Sequence, residues 1–322
     1  MSFLTNLLNS FKKPVNIPII DNTKENDNSL QIGDIILLYW IENSLHDDFP
    51  AYFEYDYHIN PQLHRNKLIS MGMLEFQKSQ KSLFKLKVIE LKEILKNESL
   101  PTSGKKDKLV QRIMDNFDIL ETRIPQALCL TELGEQLLLE NQNLIKAHQD
   151  QYISAVEYKD YSMRFPEDSY DNIKIKILDD HMVKNIRDQH FGLVRINNLA
   201  LGDLYQKQKE YKIALKYFIK TMLFDCSGLK NSYEYLPNPI YTQPMLNSFI
   251  ITELRNISDK CDLDDYNNAF EVAKKEIKSL RKKIFLTEKD FNFIKHNLLV
   301  EDLDIIETYL QKYSKFTYDY YN

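Results

Sequence analysis

Glycine is the residue whose scarcity most constrains this chain, because 322 residues contain only seven glycines. All-β folds with many tight turns need glycine wherever the backbone adopts a positive φ. Folds that cradle phosphate groups with backbone amides need clustered glycines. A chain with few glycines and long stretches of leucine, lysine and glutamate therefore favours a mainly α-helical fold over a turn-rich β fold or a dinucleotide-binding fold.

Length and residue types narrow the class further. The chain is 43% hydrophobic and 28% charged, which is typical of a globular protein, and its length allows two or three domains. Three cysteines lie far apart, which favours reduced thiols in a cytoplasmic protein: Cys129, Cys226 and Cys261. No apolar run approaches the roughly 18 residues of a membrane span. We expect neither a signal peptide nor a membrane partner.

The first 29 residues divide into an apolar start and a polar end. The start predicts a helix that packs on the body of the protein or frays, with a membrane or partner helix as the alternative. Residues 21–29, DNTKENDNS, contain no apolar side chain and predict a linker.

Residues 30–150 predict one domain with helices at both ends. IGDIILLYWIEN (32–43) predicts a buried helix, and a second helix is expected from Pro61 to Met71–Gly72, since proline is preorganised for a helix start. MLEF (73–76) and ALCL (127–130) predict short strands. Thr131 is expected in a turn or cap, and 132–149 as one helix with leucines on one face.

These flanking pieces resemble the winged-helix family. The resemblance rests on two short motifs, Lys67-Leu68-Ile69 with Gly72-Met73-Leu74, and Leu130-Thr131-Glu132-Leu133-Gly134 with Leu137-Leu138. It implies that the helix from Pro61 is a recognition helix, so that His64, Arg65 and Lys67 would form a second DNA face. The alternatives are two unrelated helical pieces and an ordinary exposed polar face. About 50 residues separate the two motifs, where the family has a hairpin.

The segment between the motifs carries the clearest periodicity in the chain. Apolar residues recur at spacings of three and four, at Leu86, Val88, Leu91, Ile94 and Leu95, and again at Leu109, Val110 and Ile113. This spacing predicts two short amphipathic helices. Pro101 and Gly104 predict a fixed loop between them, because proline restricts φ and glycine frees it.

Residues 83–117 resemble the SAP domain, a helix-extended-helix module. The family pattern L-x-V-x-E-L-K-x-x-L, followed by L-P-x-S-G-x-K-x-x-L-x-x-R-I, is met from Leu86 to Leu95 and from Leu100 to Ile113. Lys87 departs from the pattern, since a Ser or Thr cap is common there, but Glu90 retains the other half of a capping box. The resemblance implies binding of double-stranded DNA without strong sequence specificity.

Charge is concentrated on this module. Eight basic and five acidic side chains give 83–117 a net charge of +3, which leaves −8 for the rest of a chain whose net charge is −5. The first N–H groups of the second helix would meet an anion beside flexible Gly104. Neighbouring hydroxyls and cations complete the predicted phosphate site: Thr102, Ser103, Lys105, Lys106, Lys108 and Arg112. Thr102 or Ser103 is the alternative choice for a helix cap.

Residues 151–189 predict a connecting region of mixed pattern, and 190–322 a helical domain. The stretch from Asn198 to Asp225 resembles a tetratricopeptide (TPR) helix pair, in which Gly, Tyr, Ala and Phe occupy the eighth, eleventh, twentieth and twenty-fourth positions. Those residues are Gly202, Tyr205, Ala214 and Phe218 here. The resemblance implies that 190–322 binds a protein partner.

No catalytic constellation stands out. The motifs His-Glu-x-x-His, Cys-x-x-Cys, Gly-x-Ser-x-Gly and Gly-Lys-Ser/Thr do not occur. LDDHM (178–182) offers metal-ligating side chains, but we predict a solvated loop there. Asp264 and Asp265 are expected at a helix N-terminus rather than in a nuclease site. We therefore expect no enzyme, no metal and no cofactor.

The prediction is a winged-helix-like domain with an inserted SAP module, followed by a TPR-like domain. A similar layout is seen in uncharacterised proteins of low-GC Gram-positive bacteria and their phages. We expect a non-enzymatic adaptor that binds DNA through the SAP module and a protein through its C-terminal region. The alternative is a protein-interaction scaffold, with a phage-related role among its options, in which the SAP module is structural or binds peptide.

Overall fold

A computed structural model describes residues 29–44, 48–227, 246–280, 286–299 and 303–310. The predicted N-terminal helix and all but the last residue of the predicted linker lie outside these residues. The described part is mainly α-helical, as the glycine count predicts. Its residues cluster into two compact units, and the chain passes from the first to the second within one helix, between Asp160 and Tyr161.

The first unit contains nine helices and two strands among its described residues and shares a tenth helix with the second. They are α1 Ile32–Asn43, α2 Tyr52–Tyr55, α3 Pro61–Ser70, β1 Leu74–Gln77, α4 Gln80–Lys85, α5 Val88–Asn97, α6 Lys106–Asp115, α7 Phe117–Leu120, β2 Ala127–Leu130, α8 Glu132–Glu140, α9 Gln142–His148 and α10 Ala155–Arg164.

The two strands pair although 49 residues separate them. They are antiparallel, and Leu74 lies opposite Leu130 while Gln77 lies opposite Ala127. Leu74 and Leu130 are buried, so the apolar end of the ribbon faces the core of the unit. The pairing brings the two ends of the 78–126 insertion together, which confirms the predicted strands and makes the inserted helices a continuous module.

Gly134 brings α8 against the end of the first strand. A Cβ at this position would collide with the carbonyl oxygen of Met73. That same oxygen accepts a hydrogen bond from the Thr131 amide at 3.1 Å. The Thr131 hydroxyl donates to the Gly72 carbonyl at 2.7 Å and accepts from the Gly134 amide at 3.3 Å, which confirms the predicted cap.

The predicted single helix over 132–149 is wrong, because one helix ends before Asn141 and another begins after it. The side-chain Nδ2 of Asn141 donates to the Leu137 carbonyl at 2.9 Å, and its amide donates to Leu137 and Leu138. An asparagine that bonds its own preceding turn competes with the backbone ladder and ends the helix. The leucine periodicity continues across the break, which explains why the spacing alone predicted one helix.

The second unit is entirely helical in its described residues. Beyond the shared α10, its elements are α11 Tyr170–Arg187, α12 Phe191–Lys207, α13 Tyr211–Ser227, α14 Ser248–Asn256, a 3₁₀ turn Ser258–Lys260, α15 Leu263–Ser279, α16 Glu288–Leu299 and α17 Leu303–Leu310. Its core includes large buried side chains from α12, α13, α15 and α16, among them Phe191, Phe218, Phe270 and Phe291.

Two sequence predictions in this unit have opposite outcomes. The loop predicted over 178–182 is wrong, because these residues lie inside α11, which begins at the Ser169 cap. Ile173, Ile175 and Ile177 alternate like a strand, but Ile173, Ile177 and Leu178 are buried with helical spacing. The acids predicted at a helix start are confirmed, since Asp262 and Asp265 exchange amide-to-carboxylate hydrogen bonds at the start of α15.

The residues of the TPR resemblance pack α12 against α13. Phe218 is fully buried, and a Cβ at Gly202 would lie 2.5 Å from the Phe218 ring, so the glycine allows the ring to contact the helix backbone. Ala214 is also buried, and the Tyr205 ring stacks on Tyr217 at 5.6 Å between centroids. The helix pair is confirmed; its membership of the TPR family stays a prediction.

Several described helices end at a residue with a positive φ that is not glycine. Four described helices end with paired hydrogen bonds to their last turn around a residue of positive φ. Only α3 has glycine there, at Gly72. Ser99, Gln189 and Lys209 occupy the position in α5, α11 and α12, with φ of 58°, 60° and 64°. An L-residue is strained in this conformation, so the tertiary packing must compensate.

Candidate nucleic-acid interface

The module predicted at 83–117 folds as a small helical body of its own within the first unit. Its buried cluster draws on α4, α5, α6 and α7: Leu83, Leu86, Leu91, Ile94, Leu95, Leu109, Val110, Ile113, Leu120 and Ile124. Seven of these residues are among the periodic apolar positions of the sequence, and Val88 is the one such position that is exposed instead. The two predicted amphipathic helices are therefore confirmed as α5 and α6, which bury their apolar stripes against each other.

The start of α5 lies directly after Lys87, the residue that departs from the SAP pattern. No side chain at this position caps the helix in the way that a serine or threonine would. The Glu90 carboxylate accepts a hydrogen bond from the Lys87 amide at 2.5 Å. This is the retained half of the capping box, so the helix start is held by a bond from its first turn.

The loop between α5 and α6 is held from both sides. After Ser99, the chain runs through Pro101 to Gly104, whose φ is +128°. A Cβ on Gly104 would lie 3.2 Å from the Lys108 Cβ, so both the backbone angle and the space favour glycine. The Arg112 guanidinium donates to the carbonyls of Pro101 at 2.6 Å and Ser103 at 3.1 Å.

The N-terminus of α6 lies directly after this loop. Lys105 occupies the N-cap position, and its side chain makes no capping hydrogen bond. Neither Thr102 nor Ser103 therefore caps α6; Ser103 is exposed and Thr102 is half-buried. The first N–H groups of a helix have no intrahelical acceptor and carry the positive end of the helix dipole. Such N–H groups can bind an anion.

The structure sorts the predicted phosphate-binding cations into two groups. Lys105 and Lys108 are exposed beside the α6 N-terminus. Lys106 is half-buried, and its Nζ donates to the Phe84 carbonyl at 2.5 Å. Arg112 is half-buried on the loop carbonyls described above. Two ammonium groups thus extend to solvent at the predicted site, while Lys106 and Arg112 hold α4, the loop and α6 together.

Lys85 has a role that the sequence pattern did not indicate. It is one of the eight basic residues of 83–117, but its Nζ donates to the carbonyls of Ile41 at 2.5 Å and Leu128 at 2.6 Å. Burial lowers the pKa of this amine. Lys85 fastens α4 to α1 and β2, so the module is attached to the rest of its unit by a half-buried ammonium. The sequence gives one sign of this role, which is that Lys85 stands within an apolar stretch.

The predicted second DNA face lies on α3, where two of its three side chains contact a buried carboxylate. Asp34 is fully buried on α1, and its Oδ1 lies 2.7 Å from His64 Nδ1, while Oδ2 accepts from Lys67 Nζ at 3.0 Å. Lys67 also donates to the Ser29 carbonyl at 2.8 Å. Arg65 is half-buried on the same helix. This second face stays a prediction, with His64 and Lys67 joined to Asp34.

Burial alone would raise the pKa of the Asp34 carboxyl. Hydrogen bonds from His64, from the Gln31 amide and from Lys67 outweigh burial and hold the pKa below its ordinary value. The carboxylate is therefore ionised and satisfied, and its partners are oriented toward the interior of the unit.

Across the ranges with assigned structure, no helix is both long and apolar enough to cross a membrane. In the same ranges, no three His, Cys, Asp or Glu side chains are grouped so as to hold a metal ion.

Comparison with known proteins identifies the helical insertion. Residues 82–118 match the family model described as SAP domain, within one residue of the range expected at each end. The match covers the module and leaves the rest of the chain unassigned, and it suggests nucleic-acid binding. Neither the curated proteins nor the solved structures contain a match to this chain.

Proposed function

We propose that the chain binds double-stranded DNA through the N-terminus of α6, without strong sequence specificity. The observation that carries the proposal is the uncapped helix start beside Gly104, with Lys105 and Lys108 exposed next to it. The first backbone N–H groups and these two exposed lysines belong to the same turn of α6, so a phosphate bound there would accept from both. Such contacts position a protein on the duplex and do not read its bases.

The charge distribution supports a local contact. The module is the positive part of a chain that is otherwise acidic, so the remainder of the surface repels DNA. With Lys85, Lys106 and Arg112 bonded to carbonyls, the number of phosphates neutralised is small. We therefore expect weak binding with a shallow salt dependence, because each neutralised phosphate contributes about 0.9 to the log–log slope.

The remainder of the chain fits an adaptor. We interpret α3, the β1–β2 ribbon and α8 as a winged-helix-like body that carries the SAP module in the place of its wing. The α12–α13 pair, with Phe218 on Gly202, is interpreted as TPR-like and supports binding of a protein partner by residues 190–322. The proposed adaptor is cytoplasmic and non-enzymatic, with no cofactor.

A second candidate function is a protein-interaction scaffold. One observation favours it: Phe84, Val88 and Ile89 are exposed apolar side chains on α4 and α5 of the module, and Ile89 is 64% exposed. An exposed apolar surface on a small module is typical of protein contact rather than of a phosphate site. In this alternative, the SAP module binds a protein or peptide and the C-terminal region binds another.

A salt titration of the full chain with a labelled duplex tests the first candidate. Fluorescence anisotropy between about 50 and 200 mM salt gives the affinity and the slope together. The double variant K105A/K108A should lower both, and its slope should fall by about 1.8 if each lysine contacts one phosphate.

The matched control is K92A/K96A, which removes the same charge from exposed positions on α5. The proposal requires this variant to keep most of the affinity. Equal losses in both variants would indicate a general charge effect and not a site at α6. Absence of any salt-dependent binding by the wild type would reject DNA binding and leave the scaffold as the better function.

A further inference from the structure

A pocket of about 60 Å³ lies among four helices of the second unit, and the DNA-binding proposal does not use it. α11, α12, α13 and α15 each contribute side chains to its wall. Most of the wall is apolar, including Met182, Ile186 and Val194. A space of this size holds several water molecules or a short alkyl chain.

A buried amide in the wall has an unused acceptor. Asn198 is 2% exposed, and its Nδ2 donates to the Val194 carbonyl at 2.9 Å. Its Oδ1 accepts no hydrogen bond from the described residues. Buried polar atoms are nearly always hydrogen-bonded, so an unpartnered carbonyl oxygen in a pocket indicates a missing donor. An occupant with an N–H or O–H group would supply that donor.

The charged side chains of the wall indicate which kind of hydrogen-bond donor fits the pocket. The Lys220 Nζ pairs with the Glu276 carboxylate at 2.5 Å, and the same ammonium also interacts with the Asp179 carboxylate. Asp179 is a half-buried carboxylate on the facing α11, and no hydrogen bond to its side chain is found among the described residues. Burial, with the nearby Asp180, raises the pKa of the Asp179 carboxyl. The wall thus carries two carboxylates, Asp179 and Glu276, and a single ammonium, Lys220.

On the α13 side, the wall of the pocket includes Tyr217 and Lys220. Tyr217 stacks on Tyr205, and the Lys220 Nζ lies 5.1 Å from the centroid of the Tyr217 ring. The ring and Lys220 together restrict the pocket on the α13 side. An excess carboxylate, a vacant amide acceptor and apolar walls suit a cationic donor on an apolar stem.

We propose that this pocket binds a primary alkylammonium group, with the ammonium donating to Asn198 Oδ1 and Asp179 and the alkyl stem lying against Met182, Ile186 and Val194. Two sources have this chemistry, a lysine side chain of a partner protein and a free alkyl amine. The inference does not depend on duplex binding by the SAP module, so either proposal can fail alone.

The test uses the full chain with methionine methyl groups labelled with ¹³C. Eight methionines give few resonances, and a Met182→Leu variant identifies the one that lines the pocket. n-Butylammonium should shift this resonance in a saturable manner. n-Butanol should bind about tenfold more weakly and butyrate not at all, because charge-assisted hydrogen bonds contribute most of the discrimination.

Two variants test the assigned acceptors. Asp179→Asn and Asn198→Leu should each weaken n-butylammonium binding about tenfold. Asp179→Asn removes charge at the partly exposed side of the pocket, so it remains informative if Asn198→Leu disturbs the packing of α12. Asp264→Asn, on the exposed first turn of α15, is the matched control and should leave the affinity unchanged.

The sources are separated by two further probes, Nα-acetyl-lysine N-methylamide and butane-1,4-diamine. Tighter binding of the lysine derivative supports a partner's lysine side chain, and tighter binding of the diamine supports a free amine. The proposal is overturned if no probe shifts the Met182 resonance, if n-butanol binds as well as n-butylammonium, or if Asp179→Asn leaves the affinity unchanged.

Discussion

Replacing Asp34 by asparagine is expected to destabilise the first unit by about 3 kcal/mol. The substitution keeps the shape of the side chain and removes its charge. Asp34 is fully buried, and its carboxylate accepts from the Gln31 amide at 2.9 Å as well as from His64 and Lys67. An asparagine cannot compensate the Lys67 ammonium, so the change leaves a cation without its buried counter-charge.

The expected magnitude follows from the exposure of the two partners. Removing one member of a buried ion pair costs about 3–5 kcal/mol, because the other charge stays desolvated. The His64 and Lys67 side chains are 18% and 22% exposed, so water can replace part of the lost interaction. The lower end of the range is therefore expected, which is still a large share of the 5–15 kcal/mol typical of a folded domain.

Tryptophan fluorescence provides an assay specific to this unit. The chain has one tryptophan, Trp40, which lies on the same helix as Asp34. Its ring centroid is 4.8 Å from that of Phe49 and 6.4 Å from that of Phe53, and both contacts are lost on unfolding. With a urea m-value of about 2 kcal/mol/M, a loss of 3 kcal/mol lowers the midpoint by about 1.5 M.

The pH dependence gives a second measurement of the same interaction. Because the pKa of Asp34 is lower in the folded state than the ordinary 3.8, its ionised form stabilises the fold. This contribution is fully present above the unfolded pKa and is lost as pH falls through the folded pKa. Asp34→Asn should remove that part of the acid sensitivity. Glu75→Gln, at an exposed strand position, should change stability by less than about 0.5 kcal/mol. An equally small change in Asp34→Asn would refute the role of the buried carboxylate.

Two glycine exchanges test the backbone of the same unit. Ser99→Gly should stabilise α5 and α6 by about 0.5–1 kcal/mol, because glycine removes the strain of a positive φ and part of the gain is offset by its larger unfolded-state entropy. Slower amide hydrogen exchange in these helices would show it, and unchanged or faster exchange would contradict it. Gly134→Ala should destabilise the unit by about 1–2 kcal/mol, since the new Cβ collides with the Met73 carbonyl and helix propensity recovers only about 1 kcal/mol. A Trp40 unfolding midpoint at or above that of the wild type would argue against this steric reading.

The sequence by itself determined the features that depend on neighbours along the chain. Low glycine content predicted a helical protein, and spacings of three and four located α5 and α6 and their loop. The SAP pattern extended this local reading to a family whose model matches nearly the same residues. Thr131, Asp264 and Asp265 were correctly expected at helix starts, since a cap and the first turn involve only residues close along the chain.

The tertiary structure decided which side chains are available at the surface. Lys85 and Lys105 are equivalent as letters in a basic segment, yet Lys85 reaches the Ile41 carbonyl, 44 residues away, while Lys105 extends to solvent. Lys67 is likewise held on Asp34, 33 residues away. The pocket beside Asn198 also exists only because four helices meet there. Long side chains find partners according to how distant segments pack, and periodicity along the chain contains no information on that packing.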